Sequence, residues 1–178
     1  MLGVAVGVFA WLAVQSHREA GLGRTANAAP PPMRHIPPER ITILARFDPP
    51  EYEPANDAQN SPEFRSAMEH YNRHDYAGAL SGLRAAVQAQ PQSVEERFYL
   101  AICLLLTSDR SEGIQVLKDV TGGGNTPYLE SARFYLAKAL LSEGNLAGAD
   151  LQLRIIVEMH GQLEKQAQAL HAQLIPKS

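Results

Sequence analysis

The pentapeptide RFYLA occupies residues Arg97–Ala101 and occurs a second time at Arg133–Ala137, 36 positions later in a chain of 178 residues. Chance rarely spells five residues twice in so short a sequence. When the two copies are aligned, the shared register continues outwards, since Gly113 then corresponds to Ala149. The pentapeptide is therefore part of a longer structural repeat.

A third copy of the register lies 34 residues before the first pentapeptide. Phe64 and Ala67 correspond there to the phenylalanine and the alanine of RFYLA, and Ala79 corresponds to Gly113. Two helices in each period of about 34 residues are the sequence pattern of a helical solenoid. The recurrent small residues mark positions where two helices cross closely, because a larger side chain would force them apart.

Helical periodicity dominates the sequence after residue 60, and start signals accompany it. Ser61–Pro62 and Thr126–Pro127 each place an N-cap residue before proline, and Ser93 with Glu96 forms a capping box. The predicted helices cover residues 62–73, 76–89, 93–107, 110–120, 127–143, 146–160 and 162–174.

These helices predict an all-α fold, a solenoid of three helix pairs over residues 61–161. Residues 162–178 are expected to form a capping helix and a tail, since a terminal repeat must cover its apolar edge. The apolar face of that helix carries Leu163, Ala167, Leu170 and Leu174.

The segment EHYNRHDYAGALSGLRAAVQAQP, residues 69–91, resembles the tetratricopeptide-repeat (TPR) family. Asp75–Tyr76 opens the second helix, Ala79 and Ala86 stand at the family's small positions, and Pro91 ends the unit. The chain departs from the family in the aromatic residue of the first helix, which sits one place late, and in the second copy, which lacks a terminal proline. The resemblance implies a TPR-like solenoid whose first helices line a concave groove.

By this resemblance, nine residues of the first helices would line the groove and contact a partner. They are Phe64, Met68, Tyr71, Phe98, Ile102, Leu105, Phe134, Lys138 and Leu141. Their apolar and aromatic character suits an extended or helical peptide with apolar anchors rather than an acidic tail. The alternative is that the packing of a small, three-repeat solenoid simply buries them. The predicted function is a scaffold that binds a protein or peptide.

Residues 18–60 hold most of the prolines and are predicted to form a semi-rigid linker, because proline fixes φ and blocks helix. Within the linker, the stretch RITILARF, residues 40–47, alternates branched apolar residues with threonine, which predicts a short extended segment. We expect it to dock, extended, on the chain's own solenoid along Phe98 and Phe134. The alternative is that it orders only on a partner or in a dimer.

The first 14 residues carry no charged side chain, and residues 1–17 are expected to form an apolar helix that anchors the chain in a membrane. The run is shorter than the ~17–20 residues that a spanning helix needs. It is therefore a marginal anchor, the end of a membrane helix that begins upstream, or a helix docked on the domain. The predicted location is the bacterial cytoplasmic membrane, with a single pass and the repeats outside the cytoplasm, although the arginines after the run favour the opposite sidedness.

The order of apolar anchor, proline-rich spacer containing RFDPPEYEP, and repeats also resembles the C-terminal part of bacterial membrane-bound proteins that begin with an anti-sigma-factor zinc finger. This resemblance implies an alternative function, the sensory or regulatory part of such a protein. No cysteine or histidine precedes the apolar run, so the zinc-binding and sigma-binding functions are carried over to no residue. An in-frame Cys/His cluster upstream of Met1 would favour this alternative.

Other classes of function find little support in the sequence. The net charge of −3 and the lack of a basic patch argue against nucleic acid as a partner. The single cysteine, Cys103, lies in an apolar run and is expected to act as a small hydrophobic residue. His70 and His74 are four apart on a predicted helix but have no evident third ligand, so no metal site is predicted. We predict no catalytic residues, no enzyme activity, no cofactor and no small-molecule substrate.

Overall fold

The structure is a computed structural model, and it describes residues 36–46, 48–52, 60–107 and 109–174. These residues form eight α-helices and no strand. The helices are α1 (Pro38–Ala45), α2 (Pro62–Asn72), α3 (Tyr76–Ala89), α4 (Val94–Leu106), α5 (Arg110–Gly122), α6 (Leu129–Ser142), α7 (Leu146–Met159) and α8 (Glu164–Leu174). The predicted apolar helix over residues 1–17 and most of the predicted linker lie outside the described residues.

The helices α2 to α7 form three consecutive pairs, α2 with α3, α4 with α5 and α6 with α7. Each pair packs against the next through α3 on α4 and α5 on α6, and α8 packs on α7 at the C-terminal end. This arrangement is the predicted all-α, TPR-like solenoid with its capping helix. From α2 to α8, no helix boundary differs from the prediction by more than two residues.

Small residues allow two helix crossings to be close. On α3, a Cβ atom at Gly82 would lie 2.9 Å from the side chain of Ala67 on α2. On α5, a Cβ atom at Gly113 would lie 3.0 Å from the side chain of Leu105 and 3.1 Å from the carbonyl oxygen of Ala101 on α4. Ala67 and Ala101 are the alanines that the repeat register places at crossings, so that interpretation of the repeat is confirmed.

Local capping signals set most of the helix starts. Four helices follow a residue whose side chain accepts a hydrogen bond from a backbone N–H of the first turn, which satisfies one unpaired donor there. These residues are Ser61, Asp75, Ser93 and Asn145. The predicted cap at Thr126 is wrong, because α6 begins at Leu129 and only the carbonyl oxygen of Thr126 accepts the N–H of Leu129.

Residues 38–45 form helix α1, so the predicted extended conformation of residues 40–47 is wrong from residue 40 to residue 45. Pro38 stands at the first helical position, where its missing N–H is not needed and its fixed φ suits the helix. Proline therefore starts a helix at this point of the linker.

The apolar residues of α1 follow the period of a helix. Ile41, Leu44 and Ala45 have the i, i+3, i+4 spacing of one helical face, and Leu44 and Ala45 are buried. Ile43, by contrast, is 73% exposed. The alternation of Ile41 and Ile43 suggested a strand, but over so few residues it also fits a helix.

A pair of substitutions tests this register. We expect Leu44→Ala to lower the free energy of unfolding by about 1–2 kcal/mol, less than in a deep core because α1 lies at an edge that can relax. Ile43→Ala should change it by less than about 0.5 kcal/mol, since the side chain is exposed. Urea unfolding followed by circular dichroism measures both values. Equal losses at the two positions would contradict the helical register.

Candidate functional site

The first helices of the three pairs, α2, α4 and α6, form one aromatic surface, here called the inner face. The ring of Tyr99 on α4 lies 6.0 Å from that of Phe64 and 5.2 Å from that of Tyr71, both on α2. The ring of Phe98 on α4 lies 6.0 Å from that of Tyr135 on α6. Aromatic contacts therefore connect all three repeats.

Helix α1 and the residue after it lie on the C-terminal repeat of this surface. α1 packs against α6. At the end of α1, the ammonium group of Lys138 donates a hydrogen bond to the carbonyl oxygen of Arg46. The segment docks on the chain's own solenoid, as expected, but it docks as a helix on α6 and not in an extended conformation along both Phe98 and Phe134.

Residues 48–52, here called the self-segment, cross the inner face from α6 to α2. Three tyrosine hydroxyls of the inner face donate hydrogen bonds to backbone carbonyl oxygens of the self-segment. The bonds run from Tyr135 to Asp48 at 3.0 Å, from Tyr99 to Glu51 at 3.4 Å and from Tyr71 to Pro50 at 2.6 Å. Because every peptide has backbone carbonyls, these donors hold a chain by its backbone.

Tyr52, at the end of the self-segment, supplies an aromatic anchor. Its ring lies 5.7 Å from that of Phe64 and 5.3 Å from that of Tyr99, both in edge-to-face geometry. Such pairs add about 0.5–1.5 kcal/mol each beyond the burial of their area. The self-segment is thus held by its carbonyl groups along its length and by one aromatic ring at its end.

The tyrosine hydroxyls that hold the self-segment carry their protons and can therefore donate hydrogen bonds. Burial raises the pKa of the hydroxyls of Tyr71 and Tyr99, and raises that of Tyr135 to about 12. All three therefore keep their protons at neutral pH and remain donors. Burial lowers the pKa of Lys138, and the Asp48 carboxylate nearby opposes that shift.

The nine predicted groove residues divide into two groups. Six lie against α1 or the self-segment, or line a cavity with them: Phe64, Met68, Tyr71, Leu105, Phe134 and Lys138. The remaining three, Phe98, Ile102 and Leu141, are at most 1% exposed and belong to the packed core. The role of all nine residues as partner contacts remains a prediction.

Sequence reasoning missed three tyrosines of the site, Tyr52, Tyr99 and Tyr135. A signal for two of them was present, because each copy of RFYLA carries a tyrosine directly after its phenylalanine. The aromatic register of the TPR resemblance drew attention to the phenylalanines instead. Tyr52 had no comparable signal, since it lies in the linker outside the repeats.

His70 and His74 each lie close to a neighbouring polar side chain, and Cys103 is part of the core. His74 lies in the turn after α2 rather than on the helix of His70, and its Nδ1 lies 2.8 Å from the hydroxyl of Tyr76. The Nδ1 of His70 lies 2.8 Å from the Asp75 carboxylate. Cys103 is fully buried, and burial raises the pKa of its thiol to about 12. Within the described ranges, no three His, Cys, Asp or Glu side chains are grouped as a metal site requires.

Glu96 is a buried carboxylate that links the first two repeats. Its side chain is fully buried, and its Oε1 accepts a hydrogen bond of 3.0 Å from the hydroxyl of Ser61 at the start of α2. In the predicted capping box, it would have turned back to Ser93 instead. Its Oε2 has no hydrogen-bond partner, and burial raises the pKa of the carboxyl group.

The raised pKa of Glu96 predicts a pH-dependent stability. The folded state holds the proton of Glu96 more tightly than the unfolded chain does, so binding of this proton stabilises the fold. The stabilisation is complete below pH 4.5, the ordinary pKa of a glutamate, and is lost as the pH rises through the folded pKa. Glu96→Gln should therefore be more stable than the wild type at pH 7, with a difference that shrinks towards pH 4. Urea unfolding at several pH values measures this, with the exposed Glu158→Gln as control. A difference independent of pH would contradict the prediction.

No helix in the described part of the chain is long and apolar enough to cross a membrane. The segment predicted as an anchor, residues 1–17, lies outside that part.

The fold and its inner face together define a TPR-like helical solenoid that holds a non-helical segment across its first helices. No protein family model matches the chain, and no curated protein matches it. Among solved structures, the chain is similar to the type III secretion chaperone SycD of Yersinia enterocolitica, solved in complex with a peptide of the translocator YopD. The match has a TM-score of 0.58 and 16% sequence identity, and it covers 68% of this chain and 95% of the other. This likeness shows the fold.

Proposed function

We propose that this protein is a scaffold that binds a segment of another protein along its inner face. The observation that carries the proposal is the row of three tyrosine hydroxyls that donate to carbonyl oxygens of the self-segment. A surface that holds a backbone in this way can hold another chain by the same bonds. The peptide bound to SycD supports a peptide as the kind of partner.

A selection from a displayed library of random peptides tests this function. The full chain and its Tyr52→Ala variant serve as parallel targets, because the second has a weakened self-segment. Enriched peptides are then measured against Tyr135→Arg, which places a charge on the inner face, and Leu151→Arg, which places the same charge at an exposed position of α7. We expect Tyr135→Arg to lose at least tenfold in affinity and Leu151→Arg to bind like its parent. No enriched peptide on either target, or equal loss in both arginine variants, would contradict the proposal.

Membrane tethering through residues 1–17 is a further part of the proposed function, and it rests on the apolar run. Fractionation of bacterial cells tests it. The full chain should sediment with membranes and resist extraction by salt, whereas Val8→Arg with Leu12→Arg should release it. Release by salt alone, or no effect of the two arginines, would count against an anchor.

A regulatory function like that of the anti-sigma-factor proteins is the second candidate. The observation that favours it is that RFDPPEYEP, one of the elements whose order carries the resemblance, contains the self-segment on the inner face. A binding surface occupied by its own chain is what a regulated module needs. Genomic sequence upstream of Met1 decides, since an in-frame Cys/His cluster supports this candidate and a stop codon without one contradicts it.

A further inference from the structure

The self-segment has the sequence DPPEY, residues 48–52, and its chemistry indicates which peptides the inner face fits. We propose that the partner is a proline-rich segment in the polyproline II conformation, with an aromatic residue two positions after a Pro-Pro pair. The self-segment occupies the place of this ligand and is displaced by it. This inference rests on the proposed function and names the class of partner.

The backbone contacts favour a polyproline II chain. Such a chain forms no internal hydrogen bonds and presents its carbonyl oxygens outwards, where donors can reach them. The three tyrosine hydroxyls bind carbonyl oxygens. Proline has no backbone N–H, so two prolines on this surface bring no backbone donor that would need a buried acceptor.

The conformation of the self-segment is restricted in the same direction. Proline fixes φ near −65°, and a residue followed by proline avoids the helical region. Both rules apply to Pro49, because it is a proline and is followed by Pro50. The second rule also applies to Asp48, because it is followed by Pro49. Arg46, the residue that follows α1, already has φ −64° and ψ 135°, close to polyproline II values. A ligand with this conformation loses little conformational entropy on binding.

The self-segment fills the inner face incompletely. A cavity of about 270 Å³ lies beside its two prolines and is lined on the other side by Tyr71, His74 and Tyr76. A ligand with a longer side chain or an additional ring at this point gains contacts there. An external ligand can therefore bind the same surface more tightly than the self-segment does.

Covalent attachment explains how the self-segment still occupies the surface. A short chain connects Tyr52 to Asn60, the residue before the cap of α2, and a short tether gives an effective concentration in the millimolar range. An external ligand must exceed this competition. Tyr52→Ala weakens the self-segment and leaves the residues of the inner face unchanged, so it should raise the apparent affinity for an external ligand.

A fluorescent peptide with the sequence RFDPPEYEP, residues 46–54 of this chain, is the probe. We expect the Tyr52→Ala chain to bind it about tenfold more tightly than the wild type does. In the Tyr52→Ala background, Tyr99→Phe and Tyr135→Phe should each weaken binding about fivefold, since each loses a hydroxyl donor but keeps its ring. A peptide with alanine in place of both prolines should bind about tenfold more weakly. Far-ultraviolet circular dichroism checks that every variant is folded.

The outcomes separate this inference from the proposed function. If the alanine peptide binds as well as the probe, the surface does not select polyproline II, and the proline-rich class is wrong while a peptide scaffold stands. If the probe does not bind the folded Tyr52→Ala chain while library peptides do, the same conclusion follows. A wild-type dimer that Tyr52→Ala abolishes would show that the self-segment exchanges between copies, and it would overturn an external proline-rich partner.

Discussion

Phe98→Ala is expected to lower the free energy of unfolding by about 3–5 kcal/mol, the range for a buried phenylalanine. The side chain is 1% exposed, and its ring lies 5.0 Å from that of Tyr128 and 5.3 Å from that of Tyr99. Its removal takes away the apolar burial and leaves a cavity between the second and third repeats. Chemical unfolding followed by circular dichroism measures the loss.

The second copy of RFYLA provides the matched control. Phe134 has the same local sequence as Phe98, but it is only partly buried and lies beneath the ammonium group of Lys138, 5.4 Å from the ring centre. Phe134→Ala should cost about 1–2 kcal/mol, because less surface is buried there. A solenoid explains the difference, since a central repeat has a neighbour on each side and the last repeat has the capping helix on one side. Equal losses at the two positions would contradict it.

The repeat made it possible to predict the fold from the sequence. Three copies of one register fixed the helix pairs, and small residues such as Ala67 and Ala101 marked the crossings. Capping followed from local chemistry at Ser61 and Ser93, because the side chain and the N–H that it accepts lie within one turn. Signals of this kind depend on short sequence distances or on repetition, and both are visible without a structure.

Features that depend on contacts between residues far apart in the sequence could not be predicted in the same way. Glu96 looked like half of a capping box, yet its carboxylate binds Ser61 in the preceding repeat. The segment around Ile41 was too short for its period to distinguish strand from helix, and its packing on α6 decided in favour of helix. Tyr52 is part of the site only because its ring contacts those of Phe64 and Tyr99 on the inner face, and nothing in the linker sequence indicates these contacts.

The self-segment covers an apolar surface that the free protein would otherwise expose to solvent. An uncovered surface with Phe64 and Tyr99 at its centre would favour aggregation, because large exposed apolar patches associate. The self-segment covers it with groups that an external peptide also has, namely backbone carbonyls and one aromatic ring. Under the proposed function, the same contacts would both protect the free protein and compete with a partner.

The second large effect is expected at the helix crossings. Ala101→Leu and Ala137→Leu should each lower the free energy of unfolding by about 1–3 kcal/mol, because a larger side chain must push two packed helices apart. Both alanines are fully buried, and a Cβ atom at Gly113 would lie 3.1 Å from the carbonyl oxygen of Ala101, so α4 and α5 cross closely at this point.

The control is Ala169→Leu on α8, an exposed position where the same substitution should change stability by less than about 0.5 kcal/mol. Leucine is almost as good a helix former as alanine, so helix propensity does not account for a loss at the crossings. Thermal and urea unfolding of the three variants under the same conditions measure the values. Losses of only a few tenths of a kcal/mol at both Ala101 and Ala137 would mean that the helices can separate there without cost. The repeated alanine of RFYLA would then have no role in bringing the helices of each pair together.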